Sequence, residues 1–323
     1  MTPNQTLKTT SRDRTGDKRG VLLETGPGAT LCLDNLLSQT SDGKPLHVAA
    51  ETGSGEQQSL FNWADLESVA QEQAGDPDHW RFYKKGCRID PVLLRLVDGE
   101  GRLRDQSIKL LLKQSGTVRL DRLDLRSTRI RSIADHIKEM TGARVRSVAM
   151  ASGGPVHGMP KHYDPVDVIA IQTAGKKTWD LFGKPVPGSG VFGKVDTQPE
   201  DRTASIEMSE GDILFVPSGL HHRCLACGPS LHIAFTLKWP TLLEIRGELP
   251  DQTENPAFKE PLRFFGDEQA LLELASQMDR GSDQSLSPDR MEQGVRAWLD
   301  LRDTDAPLGN MAGLSAPAVG FSG

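Results

Sequence analysis

A histidine and an aspartate stand two positions apart, His162 and Asp164, in the segment GMPKHYDP. Alternate side chains of an extended chain point to the same face, so this imidazole and this carboxylate can share one ion. Residues 211–222 (GDILFVPSGLHH) predict a strand and a turn, followed by His221 and His222. With His222, the three side chains would form a 2-His-1-carboxylate face, which leaves room for a bidentate oxoacid and O2. That face is typical of Fe(II) oxygenases and differs from a closed structural zinc site.

Two alternatives remain open for the residues around the third ligand. His221 is as close in sequence as His222 and offers the same imidazole. Cys224 and Cys227 form a Cys-x-x-Cys pair that could bind zinc with either histidine. A structural zinc would require a further ligand at ordered spacing, so buried structural thiols are the simpler interpretation.

A lysine between these two histidine segments could have a second role. Residues 167–172 and 177–182 predict a β-hairpin around an Ala174-Gly175 turn, in which Gln172 pairs with Lys177. Period-2 alternation then puts Lys177 and Trp179 on one face. If that face points into a barrel, the ammonium is a suitable partner for the far carboxylate of 2-oxoglutarate.

Four linked segments carry a family resemblance: HYD at 162–164, Q-x-x-G-x-K-x-W at 172–179, GDILFVP at 211–217 and SLH at 230–232. Together they resemble the JmjC and cupin-like Fe(II)/2-oxoglutarate oxygenases, nearest the ribosomal-protein hydroxylase branch. The resemblance covers about residues 117–239. His232 in the last segment is expected to be a core histidine.

The resemblance implies a set of site residues and cofactors. The metal ligands fall on His162, Asp164 and His222, the last standing five residues after Pro217 as in the family. Lys177 falls on the residue for the far carboxylate of the cosubstrate. Fe(II), 2-oxoglutarate and O2 are the implied cofactors, with succinate and CO2 formed as a side chain of a protein or peptide is hydroxylated. A ribosomal protein is the leading candidate substrate.

The chain departs from the family pattern at two places. Ser218 and His221 stand where the family commonly has an arginine and a bulky residue. The segment before the first ligand, residues 150–155, lacks the Asn and Tyr that some relatives use near the cosubstrate. We expect Ser152 to substitute for them as a hydroxyl donor.

These side chains need a β framework to position them. Short apolar runs separated by Gly and Pro at 145–150, 167–172, 177–182, 212–216 and 231–238 predict a jelly-roll or small barrel. Helical periodicity at 130–140, with Gly142 as C-cap, precedes the barrel. We therefore predict a mostly β protein with flanking helices (α+β), built on a double-stranded β-helix (jelly-roll, cupin) core.

The predicted domain boundaries follow these changes in pattern. Residues 1–20 and 304–323 are expected to be flexible tails, and 21–115 a mixed α/β N-terminal part. The barrel core is expected over 116–240. A helical unit over 241–303 follows, whose helices at 268–301 could form a homodimer or pack on their own domain.

Charge is unevenly distributed, with a formal net of −6. Residues 101–146 contain twelve Lys or Arg against five Asp or Glu, a net of +7 that leaves −13 elsewhere. A solvated face is the simpler interpretation, and direct nucleic-acid binding is not expected. No apolar run suits a membrane span, and four cysteines do not form a disulfide framework, so a cytoplasmic protein is expected.

Three other functions use the same residues. One is hydroxylation of a small molecule, a natural-product peptide or a free amino acid. Another is a non-catalytic cupin-like metal-binding module, and the last a cupin metalloenzyme that does not use 2-oxoglutarate. Only a 2-oxoglutarate oxygenase has a use for Lys177, and dependence of O2 consumption on the oxoacid separates such an oxygenase from the last two functions.

Overall fold

The structure, a computed structural model, describes residues 22–26, 29–40, 43–50, 60–72, 79–92, 95–100, 104, 106–190, 201–248, 254–280 and 285–302. The predicted tails at 1–20 and 304–323 lie outside these residues. No described helix has the length and apolar character needed to cross a bilayer.

Two antiparallel sheets form the core of the described chain. The larger has the order β3-β12-β9-β14-β7-β6-β4-β5 and the smaller β11-β10-β13-β8. A separate hairpin joins β1 and β2. The strands are β1 (Leu22–Gly26), β2 (Ala29–Cys32), β3 (Leu46–Val48), β4 (Trp80–Lys84), β5 (Cys87–Ile89), β6 (Gly116–Asp121), β7 (Arg144–Ser152), β8 (Val156–His157), β9 (Asp167–Ala174), β10 (Lys177–Phe182), β11 (Arg202–Met208), β12 (Ile213–Val216), β13 (His221–Ala226) and β14 (Ser230–Lys238).

Apolar residues fill the space on both sides of the larger sheet. One cluster lies between the sheets and includes Val168, Ala170, Trp179 and Leu181. A larger cluster lies on the opposite face, where the helices pack. This two-sided burial explains why β9 is a nearly continuous apolar run. The predicted mostly β jelly-roll with flanking helices is confirmed.

The predicted hairpin of 167–172 with 177–182 is wrong. β9 pairs with β12 and β14, whereas β10 pairs with β11 and β13, so the chain crosses between sheets at this turn. Both edges of β9 are occupied, which leaves β10 no place beside it. The predicted face is nevertheless correct, because Lys177 and Trp179 are both buried between the sheets.

Gly175 makes this crossing feasible. Its backbone has φ +64, a left-handed conformation that glycine adopts readily. A Cβ here would lie 2.1 Å from the carbonyl oxygen of Pro229. The position therefore excludes any side chain, and it immediately precedes the strand that carries Lys177.

The helices cover the outer face of the larger sheet. They are α1 (Leu33–Gln39), α2 (Trp63–Glu72), α3 (Ser107–Lys113), α4 (Thr128–Thr141), α5 (Leu242–Arg246), α6 (Glu268–Asp279) and α7 (Pro288–Arg302). Helix α4 begins at the Ser127 N-cap and ends at Gly142, which is left-handed as predicted. Its buried face carries Ile130, Ile133 and Ile137, but Met140, expected on that face, is 38% exposed.

The C-terminal helices α6 and α7 pack on their own domain. Leu271 and Ala275 of α6, with Val295 and Trp298 of α7, are buried in the main apolar cluster. This burial accounts for the helical periodicity without a second subunit. The homodimer and the predicted domain boundaries both stay predictions.

Replacing Gly175 by Ala should destabilise the protein by about 2 kcal/mol or more, because the left-handed backbone and the Pro229 carbonyl both oppose a Cβ. Urea unfolding followed by circular dichroism measures the change. Gly228→Ala is the matched control, since nothing lies within 4 Å of its Cβ position. Equal stability of the two variants would contradict the crossing described here.

Candidate metal centre

A pair of main-chain hydrogen bonds brings the two distant motifs together. The His162 amide donates to the His222 carbonyl over 3.1 Å, and the His222 amide to the His162 carbonyl over 2.7 Å. The amide of Gly219 also donates to the Asp164 carbonyl over 2.9 Å. The extended segment before β9 is thus joined to the turn and strand that carry His222.

This bridge places three candidate ligands around one point. The Nε2 atom of His162 lies 3.9 Å from Asp164 Oδ1, and that of His222 lies 3.6 Å from Asp164 Oδ2. One ligand atom from each residue falls within 4.8 Å of the others. Spacings of this size surround a single ion whose bonds are each about 2 Å long.

The tautomers of both imidazoles are fixed by main-chain carbonyls. His162 Nδ1 donates to the Pro160 carbonyl over 2.8 Å, and His222 Nδ1 to the Leu220 carbonyl over 3.0 Å. Each Nε2 therefore carries a lone pair facing Asp164. Among the described atoms, the buried His162 Nε2 has no hydrogen-bond partner. A divalent cation fits this donor set.

Burial also keeps the third candidate ligand neutral. The pKa of His222 is lowered to about 4, chiefly by burial and further by the neighbouring His162. A neutral imidazole near pH 7 is the form that binds a metal.

His221 points away from the group. Its buried ring packs edge-on against Tyr163 at 5.2 Å, on the other face of β13. Successive residues of a strand alternate in direction, so only one histidine of the pair can face Asp164. The structure brings His222 there, and the assignment of ligands stays a prediction.

The two cysteines do not join a metal-binding group in the described residues. Cys224 lines the cavity described below, and burial raises the pKa of its thiol to about 12. Cys224 is half-buried and Cys227 is exposed, so the expectation of two buried thiols is wrong for Cys227 and only partly met by Cys224. Neither cysteine belongs to the one candidate ligand cluster found there.

Lys177 lies in the interior without an acidic partner among the described residues. Its side chain is buried, and Nζ donates to Nδ1 of His232 over 2.8 Å. Burial lowers the pKa of Lys177 to about 8, so the ammonium remains mostly charged at pH 7. A buried cation paired only with an imidazole is well suited to bind an anion.

His232 is buried and hydrogen-bonded, which confirms the expected core histidine, and its partner is Lys177 of the candidate site. It lines the cavity, and burial together with the adjacent Lys177 lowers its pKa well below the usual value. The ring is therefore neutral and accepts a hydrogen bond from the ammonium. Trp179 lies between this ring and that of His222, with centroids 5.6 and 5.5 Å away.

One cavity contains all of these groups. Together with the open solvent at its mouth, the space between these groups is about 720 Å³. Its apolar wall includes Val148, Met150, Val168, Trp179 and Ala234. Ser152 also lines it, with Oγ 3.0 Å from Thr117 Oγ1, and its role as a hydroxyl donor stays a prediction.

Asp167 supports the site from behind. Its buried carboxylate accepts hydrogen bonds from the Ser218 amide and Trp239 Nε1, each over 2.7 Å. Arg263 approaches the same carboxylate with Nε at 2.7 Å and Nη2 at 2.6 Å. Asp167 therefore ties the start of β9 to the turn that precedes His222.

Arg119 on β6 is a cavity residue that sequence reasoning missed. Its guanidinium lines the cavity, and Nε donates to Asp121 over 2.6 Å. In the sequence, Arg119 is one of twelve basic residues in the stretch 101–146, and nothing distinguishes it from the others. Its alternation with Val118 and Leu120 on a strand was the available signal.

A known protein family matches the part of the chain that carries these residues. Residues 124–245 match the family model of the JmjC domain, which confirms the resemblance. Ribosomal oxygenase 2 of Rattus norvegicus is 24% identical over 174 residues, 51% of this chain and 35% of that protein. An Aedes aegypti protein named bifunctional lysine-specific demethylase and histidyl-hydroxylase NO66 is 25% identical over 181 residues, 52% of this chain and 24% of that protein.

A solved structure also resembles this chain. Escherichia coli YcfD, described as a ribosomal oxygenase in complex with cobalt and 2-oxoglutarate, is 15% identical with a TM-score of 0.47. The alignment covers 86% of this chain and 69% of that one. The matches to the rat and mosquito relatives cover 35% and 24% of those proteins, so this chain spans well under half the length of either.

Replacing His222 by Ala should weaken Co(II) binding by roughly 100-fold or more, beyond the loss expected for a residue that only orients a ligand. Calorimetric titration measures the affinity. His221→Ala, which removes the adjacent imidazole, should retain affinity within a few fold. If His221→Ala loses the metal and His222→Ala retains it, the choice between these ligands is reversed.

Proposed function

We propose that this chain, whose residues 124–245 form a JmjC domain, is an Fe(II)- and 2-oxoglutarate-dependent oxygenase. One observation carries the proposal: a three-ligand group with open sides and a buried ammonium line the same cavity. A metal-binding module has no use for that lysine. A bidentate oxoacid with a second carboxylate uses both features.

The donor set suits Fe(II), because two imidazoles and one carboxylate leave three adjacent octahedral positions open. Fe(II) bound there would supply the centre at which O2 oxidatively decarboxylates 2-oxoglutarate to succinate and CO2 and oxygenates a substrate C–H bond. His162 and His222 would each contribute Nε2, held in position by a carbonyl at Nδ1. Asp164 would contribute its carboxylate.

The remaining lining residues position the cosubstrate and exclude water. Lys177 pairs its ammonium with the far carboxylate of 2-oxoglutarate, and His232 holds the lysine in place through Nδ1. Ser152 donates its hydroxyl to the cosubstrate from the neighbouring strand. The apolar wall around Trp179 keeps the surroundings dry, which strengthens each of these charge interactions.

The proposed substrate is an amino-acid side chain of a protein or peptide, with a ribosomal protein as the leading candidate. The names of the rat and mosquito relatives, a ribosomal oxygenase and a histidyl-hydroxylase, support this choice. A small molecule or free amino acid is the alternative. A cytoplasmic location is proposed with it, in keeping with the free thiols of Cys87, Cys224 and Cys227.

Reconstitution tests the reaction. Protein loaded with Fe(II) without oxygen, then given 2-oxoglutarate, O2 and cell extract, should form succinate together with a peptide 16 Da heavier, the mass of one oxygen atom. Asp164→Ala should abolish succinate formation, because one ligand is lost. Asp135→Ala, an exposed aspartate of α4, is the matched control and should turn over normally.

The outcomes separate the candidate functions. Oxygen consumption that does not require 2-oxoglutarate would favour a different cupin metalloenzyme, and no consumption would favour a binding module. Oxygen added to a small molecule would exclude the protein substrate. Normal turnover by Asp164→Ala would refute the proposed ligand set.

The affinity for 2-oxoglutarate should depend on pH through Lys177. Burial lowers its pKa to about 8, so the ammonium is present below that pH and lost above it. Binding should be strongest below pH 7 and weaken roughly tenfold for each unit above 8. Calorimetry from pH 6.5 to 9.5 measures the profile. Lys177→Arg, which stays charged, should flatten it, and a flat profile in the unmodified protein would contradict the role given to this lysine.

A further inference from the structure

Arg119, which belongs to the basic stretch 101–146, lies in a group of arginines that the proposed reaction does not use. On the larger sheet, Arg119 of β6 pairs directly with Arg81 of β4 on one side and Met150 of β7 on the other. Directly paired residues share a face, and Met150 lines the cavity. The row Arg81, Arg119 and Met150 therefore leads along the sheet into the cavity.

A second row lies beside it. Arg88 of β5 pairs with Tyr83 of β4, which pairs with Thr117 of β6, which in turn pairs with Ser152 of the cavity wall. We call Arg81, Tyr83, Arg88, Arg119 and Asp121 the arginine shelf. These strands extend the larger sheet beyond β7, the strand that carries Met150 and Ser152.

The arginine shelf is positively charged. Asp121 is its one carboxylate, 2.6 Å from Arg119 Nε and 4.0 Å from Arg81 Nη2. Three arginines and one aspartate give the shelf a net charge of +2. Tyr83 contributes no charge near pH 7, and burial raises its pKa above the usual tyrosine value.

Arg119 directs this charge into the cavity. Its side chain is only 14% exposed, and Nε is engaged by Asp121. Among the described residues, no group accepts a hydrogen bond from its Nη1 or Nη2. A guanidinium is a donor only, so these N–H groups are available to a carboxylate of a ligand that enters the cavity. The same cavity wall carries Asp164 of the candidate metal group.

We infer that the arginine shelf binds an acidic segment of the protein or peptide substrate, with Arg119 holding a carboxylate beside the residue that reacts. This inference rests on the proposed function, which it extends to the choice of substrate. A lysine or arginine at that position would meet a recessed guanidinium of like charge. The shelf therefore selects against basic segments as well as for acidic ones.

A peptide suits this surface better than RNA. Arg119 and Arg81 have side chains only 14% and 31% exposed, so a rigid phosphate backbone reaches them less readily than it reaches the exposed Arg88. A carboxylate on a flexible side chain can reach them. Asp121 between the two arginines would also repel a continuous row of phosphates.

Fluorescence anisotropy tests the inference without turnover, on the protein held without oxygen with Fe(II) and 2-oxoglutarate. The probes are three fluorescein-labelled Gly-Ser dodecapeptides that differ only in carrying three Glu, three Gln or three Lys. The Glu peptide should bind at least about tenfold more tightly than the Gln peptide, and the Lys peptide more weakly than both. Added salt should reduce the difference.

Variants assign the effect to the shelf. Arg119→Gln should lose about tenfold in affinity for the Glu peptide, and Arg119→Lys should lose less because it keeps the charge. Arg290→Gln, at an exposed arginine of α7, removes the same charge elsewhere and should change nothing. Thermal melts check that each variant is folded. Arg81→Gln, at the shelf arginine that pairs with Arg119, provides a second test that should also weaken binding.

Several results would overturn the inference. They are equal affinity for the three peptides, unchanged Glu-peptide affinity in both Arg119→Gln and Arg81→Gln, and tighter binding of a U12 oligonucleotide than of the Glu peptide. A loss of 2-oxoglutarate affinity in Arg119→Gln equal to the loss of peptide affinity would assign Arg119 to the cosubstrate instead. Selective Glu-peptide binding without any succinate formation would refute the proposed reaction and leave the shelf standing.

Discussion

The buried carboxylate of Asp167 is the contact on which the geometry of this site depends. It accepts from a main-chain amide, an indole and a guanidinium, and it joins the start of β9, the turn before β13 and the segment before α6. Asp164 stands just before β9, and His222 follows the turn. The same carboxylate therefore fixes both chain segments that carry candidate ligands. Without its donors a buried charge would be strongly destabilising, so these segments are held together whenever the protein is folded.

Negative and positive charges occupy different parts of the cavity. Both imidazoles of the candidate metal group are oriented by carbonyls, and Asp164 contributes the only negative charge of that group. Positive charge comes from Lys177 of the smaller sheet, next to a neutral His232, and from Arg119 of the larger sheet. Under the proposed function, the arrangement would provide separate places for a cation, a dianionic cosubstrate and a further acceptor. Apolar residues such as Trp179 and Val168 line the wall between them.

Local pattern predicted much of this site, and non-local pairing accounts for what it missed. His162 and Asp164 share a face because alternation in an extended chain is a local property, and the family resemblance pointed to His222 over His221. The hairpin was wrong because a turn does not reveal that both edges of β9 are already occupied. Local pattern does not show that His232 contacts Lys177 or that Arg119 lines the cavity. In each case a neighbour far away in sequence defines the environment, Lys177 for His232 and Met150 for Arg119.

The two hydrogen bonds between His162 and His222 have a consequence for how the protein acquires a metal. They hold the imidazole rings with centroids 4.5 Å apart in the folded chain itself, so little ordering remains to be done when an ion arrives. A preformed nitrogen and oxygen site of this kind binds several first-row divalent ions, in the general order of their intrinsic affinities. Which of these ions occupies the site then depends on which ions are available to the protein. The metal found in the purified protein will therefore depend on the growth medium as well as on the site. Replacing one metal ion by another will leave the fold intact.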